Sequence, residues 1–271
     1  MPELPEVETT RAGIAPALVG RRIVDMIVRD RRLRWPIAAT FEAAVRDQVI
    51  RAVERRAKYL LIRLNTGTVI IHLGMSGSLR LAGAGTPLKA HDHWDLVLDS
   101  GMILRFHDPR RFGSLHFTEQ DPAQHPLLSK LAPEPLSDEF NGEYLYRATR
   151  RRSVAIKQFI MNSQLVVGVG NIYASEALFR AGISPRRTAR RISKEEAAKL
   201  AKAIKAVLKA AIKIGGTTLR DYVNAEGAPG YFRQKLFVYE RASEACRVCK
   251  SPVKHFTQGQ RSTYWCAVCQ R

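Results

Sequence analysis

The residues best suited to chemistry in this 271-residue chain stand at its two ends. It opens Met1-Pro2-Glu3-Leu4-Pro5-Glu6. Removal of Met1 makes Pro2 the terminus, a secondary amine with an α-amino pKa near 8, so an appreciable neutral fraction exists at about pH 7. Attack by such an amine on a sugar C1′ gives a cationic iminium. That electron sink acidifies the next C–H bond and turns the phosphate beyond it into a leaving group, in the manner of Schiff-base lysines. Glu3 beside it suits protonation of the ring oxygen as the sugar opens, provided burial keeps its acid form populated. The plainer reading is a helix start whose acids complement the helix dipole.

At the far end stand the four cysteines, Cys246, Cys249, Cys266 and Cys269. Two C-x-x-C pairs sixteen residues apart have the spacing of a tetrahedral thiolate site on a hairpin. Sulfur in all four positions leaves the metal no open site, so one structural Zn2+ ion is expected. Disulfides are the alternative, disfavoured in a cytosolic chain. Between the pairs runs FTQGQRSTYW, in which Gly259 suits a hairpin tip and Arg261 then projects on a short finger. A guanidinium so placed grips phosphate with two parallel hydrogen bonds; the alternative is a solvated arginine.

Two glycine-rich stretches could also meet an anionic chain. In LVVGVGNIYASEALF, Gly168 and Gly170 precede Asn171 and a helical pattern, so backbone N–H groups can approach phosphate at a positive helix end. A helix-turn-helix corner built for steric reasons would look the same. Arg147, Arg150, Arg151, Arg152 and Lys157 lie just upstream and add cations. In HLGMSG and HDPRRFG, Met75 and Phe112 sit on turns beside Arg110 and Arg111. They read either as core residues capping a sheet or as apolar wedges of the kind that open duplex DNA.

Elements must position these groups. Val7, Ile14 and Leu18 fall on one helical face between Pro5 and Val19, with Gly20 as a stop. Extended stretches follow at RRIVDMIV, YLLIRL, TVIIHLGM, SGSLRLA, DLVLDS, MILRFH and SLHFTE, joined by turns such as Asn65-Thr66-Gly67 and Ser100-Gly101. This half reads as a β-sandwich or a barrel-like unit. Prolines within LAPEPLSDEF mark a boundary, after which helical patterns dominate at DEFNGEYLYRATR, VAIKQFIMN and NIYASEALFRAG. The clearest is SKEEAAKLAKAIKAVLKAAIKIGG. Ser193 and Glu196 form a capping box, Leu200, Ile204, Leu208, Ala211 and Ile212 form the apolar stripe, and Gly215 fits the C-terminal cap. Lysines on its other face read by default as a solvated surface.

Composition sets the partner class. The excess of 44 Lys+Arg over 25 Asp+Glu gives +19, a field that calls for an anionic partner, and nucleic acid fits better than a membrane surface. No apolar run approaches the roughly 20 residues of a membrane span, and no basic-then-apolar leader opens the chain. A cytosolic protein is expected.

As a set, MPELPEVET, KYLL, HLGMSGSLR, HDHWDL, DPRRFG, VVGVGNIYASE, GGTT, GYF and the two cysteine pairs occur in the order seen in bacterial formamidopyrimidine-DNA glycosylases. These are 8-oxoguanine DNA glycosylases that are also AP lyases. The chain resembles that family from Pro2 to Cys269. The resemblance implies an α+β fold: an N-terminal helix with a β-sandwich (1–132), a helical helix-two-turn-helix DNA-binding domain (133–236) and a zinc finger hairpin (237–271). It implies a monomer acting on double-stranded DNA that contains oxidised purines. Pro2 resembles the Schiff-base nucleophile, Glu3 the proton donor with Glu6 as support, and Lys58 the lysine of β-elimination. Arg261 resembles the finger arginine that grips phosphate and assists δ-elimination. Met75, Arg110 and Phe112 match residues that fill the void left by a flipped nucleotide, Arg110 facing the orphaned cytosine. His91, Arg152, Lys157 and Asn171 match DNA-contacting positions.

Two positions depart from the pattern, Asn162 where relatives often carry Asp and Arg220 where lysine is common in the loop over the damaged base. The second bears on preference among oxidised bases. Two rival readings stand beside this one. An endonuclease VIII type would favour oxidised pyrimidines, although PELPE rather than PEGPE argues against it. A non-catalytic zinc-dependent DNA-binding protein would explain everything except the N-terminus.

Overall fold

A computed structural model of the chain describes residues 2–215 and 236–271. They fold as two compact units, 2–129 with 214–215, and 130–213 with 236–271.

The first unit opens with α1 (Leu4–Leu18), whose Val7, Ile14 and Leu18 are buried. Pro5 lies in the first turn, where its missing N–H breaks no hydrogen bond. Glu3 and Glu6 cap the start: the Glu3 N–H donates to Glu6 Oε2 at 2.8 Å and the Glu3 carboxylate accepts from the Glu6 N–H. Gly20, at φ +83°, supplies the left-handed turn that ends it.

Eight strands and a short helix follow: β1 (Ile23–Val28), α2 (Phe41–Val45), β2 (Ala52–Arg56), β3 (Tyr59–Arg63), β4 (Thr68–His72), β5 (Ser78–Gly83), β6 (Asp92–Leu98), β7 (Met102–His107) and β8 (Ser114–Thr118). They make two antiparallel four-stranded sheets, ordered β1-β6-β7-β5 and β2-β3-β4-β8. One apolar core draws on both, with Leu60, Ile62 and Ile71 from one and Leu79, Leu104 and Phe106 from the other, and Trp94 stacks on Phe106 at 5.2 Å. Of the two expected forms, sandwich and barrel-like, the two sheets give the sandwich. The strand β2 was not anticipated: AVERR is an edge strand with Val53 as its one buried residue, so it lacks an apolar signature. Helix α1 packs on β2, β3 and β5, and Glu8 joins Arg11 of α1 to Arg55 of β2.

The second unit holds α3 (Gly142–Thr149), α4 (Ile156–Ile160), α5 (Asn171–Ala181), α6 (Lys194–Lys213) and the hairpin β9 (Lys254–Gln258) and β10 (Arg261–Trp265). The expected capping box of α6 forms, Ser193 N–H to Glu196 Oε2 at 2.9 Å and Glu196 N–H to Ser193 Oγ at 3.1 Å. Leu200, Ile204, Leu208 and Ala211 are buried, and Gly215 adopts φ +81°. Helix α3 crosses α6 closely, since a Cβ on Gly142 would stand 2.6 Å from Ala198 Cα. Helix α4 is shorter than its pattern because Ala155 bridges to Thr188 as extended backbone. None of the described helices is long and apolar enough to cross a membrane.

Candidate functional site

At the N-terminus Pro2, Glu3 and Glu6 are all buried, and Met1 lies outside the described residues. Glu6 is the support expected for Glu3, because its carboxylate holds the Glu3 main chain. The Glu3 carboxylate in turn caps α1. Lys58, half-buried, occupies the two-residue turn between β2 and β3, the hairpin on which α1 packs. That turn takes an unusual backbone, Ala57 at φ +54°. Near it, burial followed by the positive charges of Lys58 and Arg34 lowers the His72 pKa to about 4, so the ring is neutral at physiological pH. Its Nδ1 accepts the Gly74 N–H at 2.9 Å, which places the ring proton on Nε2.

Gly74 opens the turn that carries Met75. Met75 and Phe112 are 38% and 43% exposed, so the core-cap reading gives way to the exposed one. The Arg110 guanidinium lies over the Phe112 ring, 5.0 Å from its centroid. His91 is exposed too, at φ +71°, with its ring 6.2 and 6.3 Å from those of His93 and His107. Behind this surface the sheet is braced by buried charge: Arg105 grips Asp95 through two bonds of 2.8 Å, and Asp92 accepts from Arg80 at 2.6 Å. Burial pushes the Asp95 carboxyl up, but the guanidinium groups of Arg105 and Arg29 outweigh it and hold that carboxyl low, while the bond to Asp95 raises Arg105.

In the second unit Gly168 (φ +77°) and Gly170 lead into α5 as the glycine turn requires, and α4, this turn and α5 give the two-turn arrangement. Asn162 accepts the Gln164 N–H at 3.0 Å, a role that Asp fills equally well, so this departure leaves the turn intact. Of the upstream cations Arg147, Arg151 and Arg152 are exposed, whereas Arg150 lies 4.2 Å over Tyr146 and bonds Thr149 and Ile192. Lys157, which the resemblance matches to a DNA-contacting position, is buried at 1% exposure. Its ammonium donates to Asn171 Oδ1 (2.6 Å), Ser262 O (3.0 Å) and Thr263 Oγ1 (2.8 Å). Asn171 also donates to Ser262 O at 2.9 Å. Lys157 and Asn171 thereby tie α4 and α5 to the hairpin.

That hairpin turns through Gly259 (φ +54°) and Gln260 (φ +60°), the two left-handed positions of a tight primed turn. Arg261 follows, exposed at the start of β10. With Lys157, Gln158 and Asn162 it lines a cleft of about 200 Å³. Below it the four cysteine sulfurs lie within 4.8 Å of one another and unbridged. Amide and hydroxyl bonds from Ser251 bring the Cys249 thiol down to about 6, while burial and its three sulfur neighbours push Cys269 up to about 12. Crowded thiolates of this kind repel one another, and a bound divalent cation removes that repulsion, so the donor set fits a metal.

Two residues that sequence reading did not single out organise the site. Glu176 of α5 is buried, and its carboxylate accepts the N–H groups of Phe237 (2.9 Å), Val238 (2.9 Å) and Tyr239 (3.0 Å), the segment entering the finger. Burial pushes its carboxyl up and these three amides pull it back. Asp108, within HDPRRFG, is fully buried and bonds Ser76 Oγ at 2.7 Å and Gly113 N–H at 2.8 Å. A buried acid amid apolar residues in α5 was the available signal for the first; the second carried none. The segments 216–218 and 230–232 and the residue Arg220 fall outside the described residues.

Comparison with known proteins agrees along the whole chain. Residues 1–115 match the formamidopyrimidine-DNA glycosylase N-terminal domain, and residues 131–223 match the H2TH domain of the same glycosylases. The formamidopyrimidine-DNA glycosylases of Stutzerimonas stutzeri and Thioalkalivibrio sulfidiphilus are each 56% identical over 271 residues, covering 100% of both chains. The crystal structure of MutM (Fpg) from Thermus thermophilus superposes with a TM-score of 0.89 at 39% identity, over 99% of this chain and 98% of that one. A Lactococcus lactis Fpg mutant in complex with Fapy-dG-containing DNA gives 0.93 at 30% identity, over 100% of both. Lactococcus lactis Fpg with abasic-site DNA gives 0.91 at 29%, over 99% of each. With the paired glycines, the hairpin finger and the capped N-terminal helix all in place, the chain belongs to the formamidopyrimidine-DNA glycosylase family.

Proposed function

We propose that this protein is a base-excision-repair DNA glycosylase and AP lyase that removes oxidised purines, 8-oxoguanine and formamidopyrimidines, from double-stranded DNA. The observation that carries the reading is full-length identity of 56% to glycosylases of that name, with Pro2 at the head of the chain. The damaged nucleotide is flipped from the stack, and Met75, Arg110 and Phe112 fill the space it leaves. His91, Arg152, Asn171 and Arg261 grip the backbone, with Lys157 holding Asn171 and the hairpin in register. Once Met1 is removed, the Pro2 nitrogen attacks C1′ and the base departs with its bonding electrons and a proton. Glu3 protonates the ring oxygen as the sugar opens, leaving an iminium between Pro2 and C1′. Loss of the C2′ proton, with Lys58 moving protons, expels the 3′ phosphate. A second elimination assisted by Arg261 expels the 5′ phosphate.

Cys246, Cys249, Cys266 and Cys269 hold one Zn2+ ion, which supplies fixed geometry to the finger and no reacting group, since sulfur fills every position. The work divides among a catalytic β-sandwich (1–132), a helical helix-two-turn-helix domain (133–236) and a finger (237–271). The enzyme acts as a monomer on DNA in the bacterial cytoplasm.

Borohydride reduction tests the nucleophile. A covalent protein–DNA adduct is expected on 8-oxoguanine duplex when Pro2 is the terminus, and none when one extra residue precedes it. Equal trapping by both forms rejects Pro2. Faster excision of thymine glycol than of 8-oxoguanine opposite cytosine rejects the purine assignment.

A further inference from the structure

Four residues that the proposed function sets against DNA come from three separate stretches of the first unit: Met75 after β4, His91 before β6, and Arg110 and Phe112 after β7. One buried carboxylate adjoins them all. Asp108 is 0% exposed, and its side chain accepts from Ser76 Oγ at 2.7 Å, Gly113 N–H at 2.8 Å and Arg110 N–H at 3.3 Å. Its own N–H donates to His91 O at 3.0 Å, and its carbonyl oxygen accepts from His93 Nε2 at 2.7 Å and from the Arg111 N–H at 3.2 Å. Every one of these partners is a DNA-facing residue or within two positions of one.

The two turns also interlock too tightly to admit a side chain. A Cβ on Gly74 would stand 2.4 Å from Gly113 N and from Phe112 C, and one on Gly113 would stand 2.6 Å from Phe106 Cζ and 3.1 Å from Asp108 Oδ2. Left to themselves, Met75 and Phe112 on mobile loops would fold back onto the protein to escape water. Held at 38% and 43% exposure they do not, and a rigid mount is what keeps a wedge ready before DNA arrives.

We propose that Asp108 is the positioning residue of the wedge, joining the Met75 turn to the Arg110–Phe112 turn so that both enter the duplex as one preformed body. This rests on the proposed function, because the wedge is the thing positioned. The full-length, zinc-loaded enzyme with a free Pro2 tests it by single-turnover excision from duplex 8-oxoguanine opposite cytosine and by nicking of single-stranded abasic-site DNA. The single strand has no partner strand and leaves no gap to fill.

Asp108→Ala is expected to slow duplex excision by about tenfold or more, with single-strand nicking within about threefold of the parent enzyme. Because part of the Asp108 effect runs through Phe112, the losses of Asp108→Ala and Phe112→Ala are expected to combine to clearly less than their product in the double variant. Equal losses on both substrates, or multiplying losses in the double variant, overturn the proposal. Should Asp108→Ala melt early, Ser76→Ala carries the test: it removes one hydroxyl and is expected to give the same substrate split at about threefold, and no split overturns the proposal. Full duplex activity in Phe112→Ala would overturn the wedge itself and this inference with it. A slow Phe112→Ala beside a normal Asp108→Ala overturns the inference alone.

Discussion

Replacing Glu176 by Gln should loosen the entry to the finger while leaving the rest of the chain folded. Glu176 Oε2 accepts from Phe237 and Oε1 from both Val238 and Tyr239. Val238 packs with Phe179, Val253, Cys246 and Cys266, so the carboxylate anchors the segment from which the finger core hangs. A glutamine can keep its oxygen toward Val238 and Tyr239, but its amide then faces the Phe237 N–H donor to donor. Losing a charge-assisted bond removes about 1.5–3 kcal/mol and orphaning a buried donor costs about 1–3 kcal/mol. The neutral amide recovers part of this, because burial already pushes the Glu176 carboxyl up and that penalty on the charged form disappears. The net local loss is about 2 kcal/mol, equivalent to about 30-fold faster hydrogen exchange at the amides of residues 237–239. Exchange on the zinc-loaded chain at neutral pH reads it directly, with Glu176→Ala expected to exceed it. Exchange at these amides within about threefold of the parent, or acceleration spread evenly over both units, would refute the anchoring role.

Other expectations follow from the same geometry. His72 is held neutral with a pKa near 4, below the value of 6.5 for a free imidazole, so the unfolded chain binds a proton that the folded one refuses between these values. Stability therefore falls as pH drops from 6.5 toward 4, by about 3 kcal/mol on this account, and His72→Gln should flatten that part of a pH-dependent unfolding curve. Elemental analysis should find one zinc per chain, and chelation should raise exchange across 246–269 and abolish trapping on duplex abasic DNA; intact trapping by the metal-free chain would count against a finger held by zinc. Affinity for undamaged duplex should fall linearly on a log–log plot against salt, and Arg152→Ala should reduce that slope by about one, the share of one phosphate contact. An unchanged slope would remove Arg152 from the backbone-gripping set.

Much of this molecule was decided within short windows of sequence. The capping box at Ser193, the stripe of α6, the glycine turn before α5, the tip at Gly259 and the two cysteine knuckles each depend on neighbours a few residues away, and each formed as its spacing required. Extended apolar stretches bounded by turns likewise marked the other strands of the sandwich, whereas β2 escaped because an edge strand with one buried residue has no apolar run to show. Spacing could not reveal which polar groups meet across the fold. Asp108 reaches Ser76 over 32 positions, Glu176 reaches Phe237 over 61 and Lys157 reaches Thr263 over 106, and a hydrogen bond between such partners leaves no period in the chain. For the same reason the sequence left Met75 and Phe112 equally suited to core or surface, and placed Lys157 among available cations. Tertiary packing decided these cases: interlocked glycine turns hold the two apolar side chains in solvent, and the close approach of α4, α5 and the hairpin encloses the ammonium among oxygen acceptors.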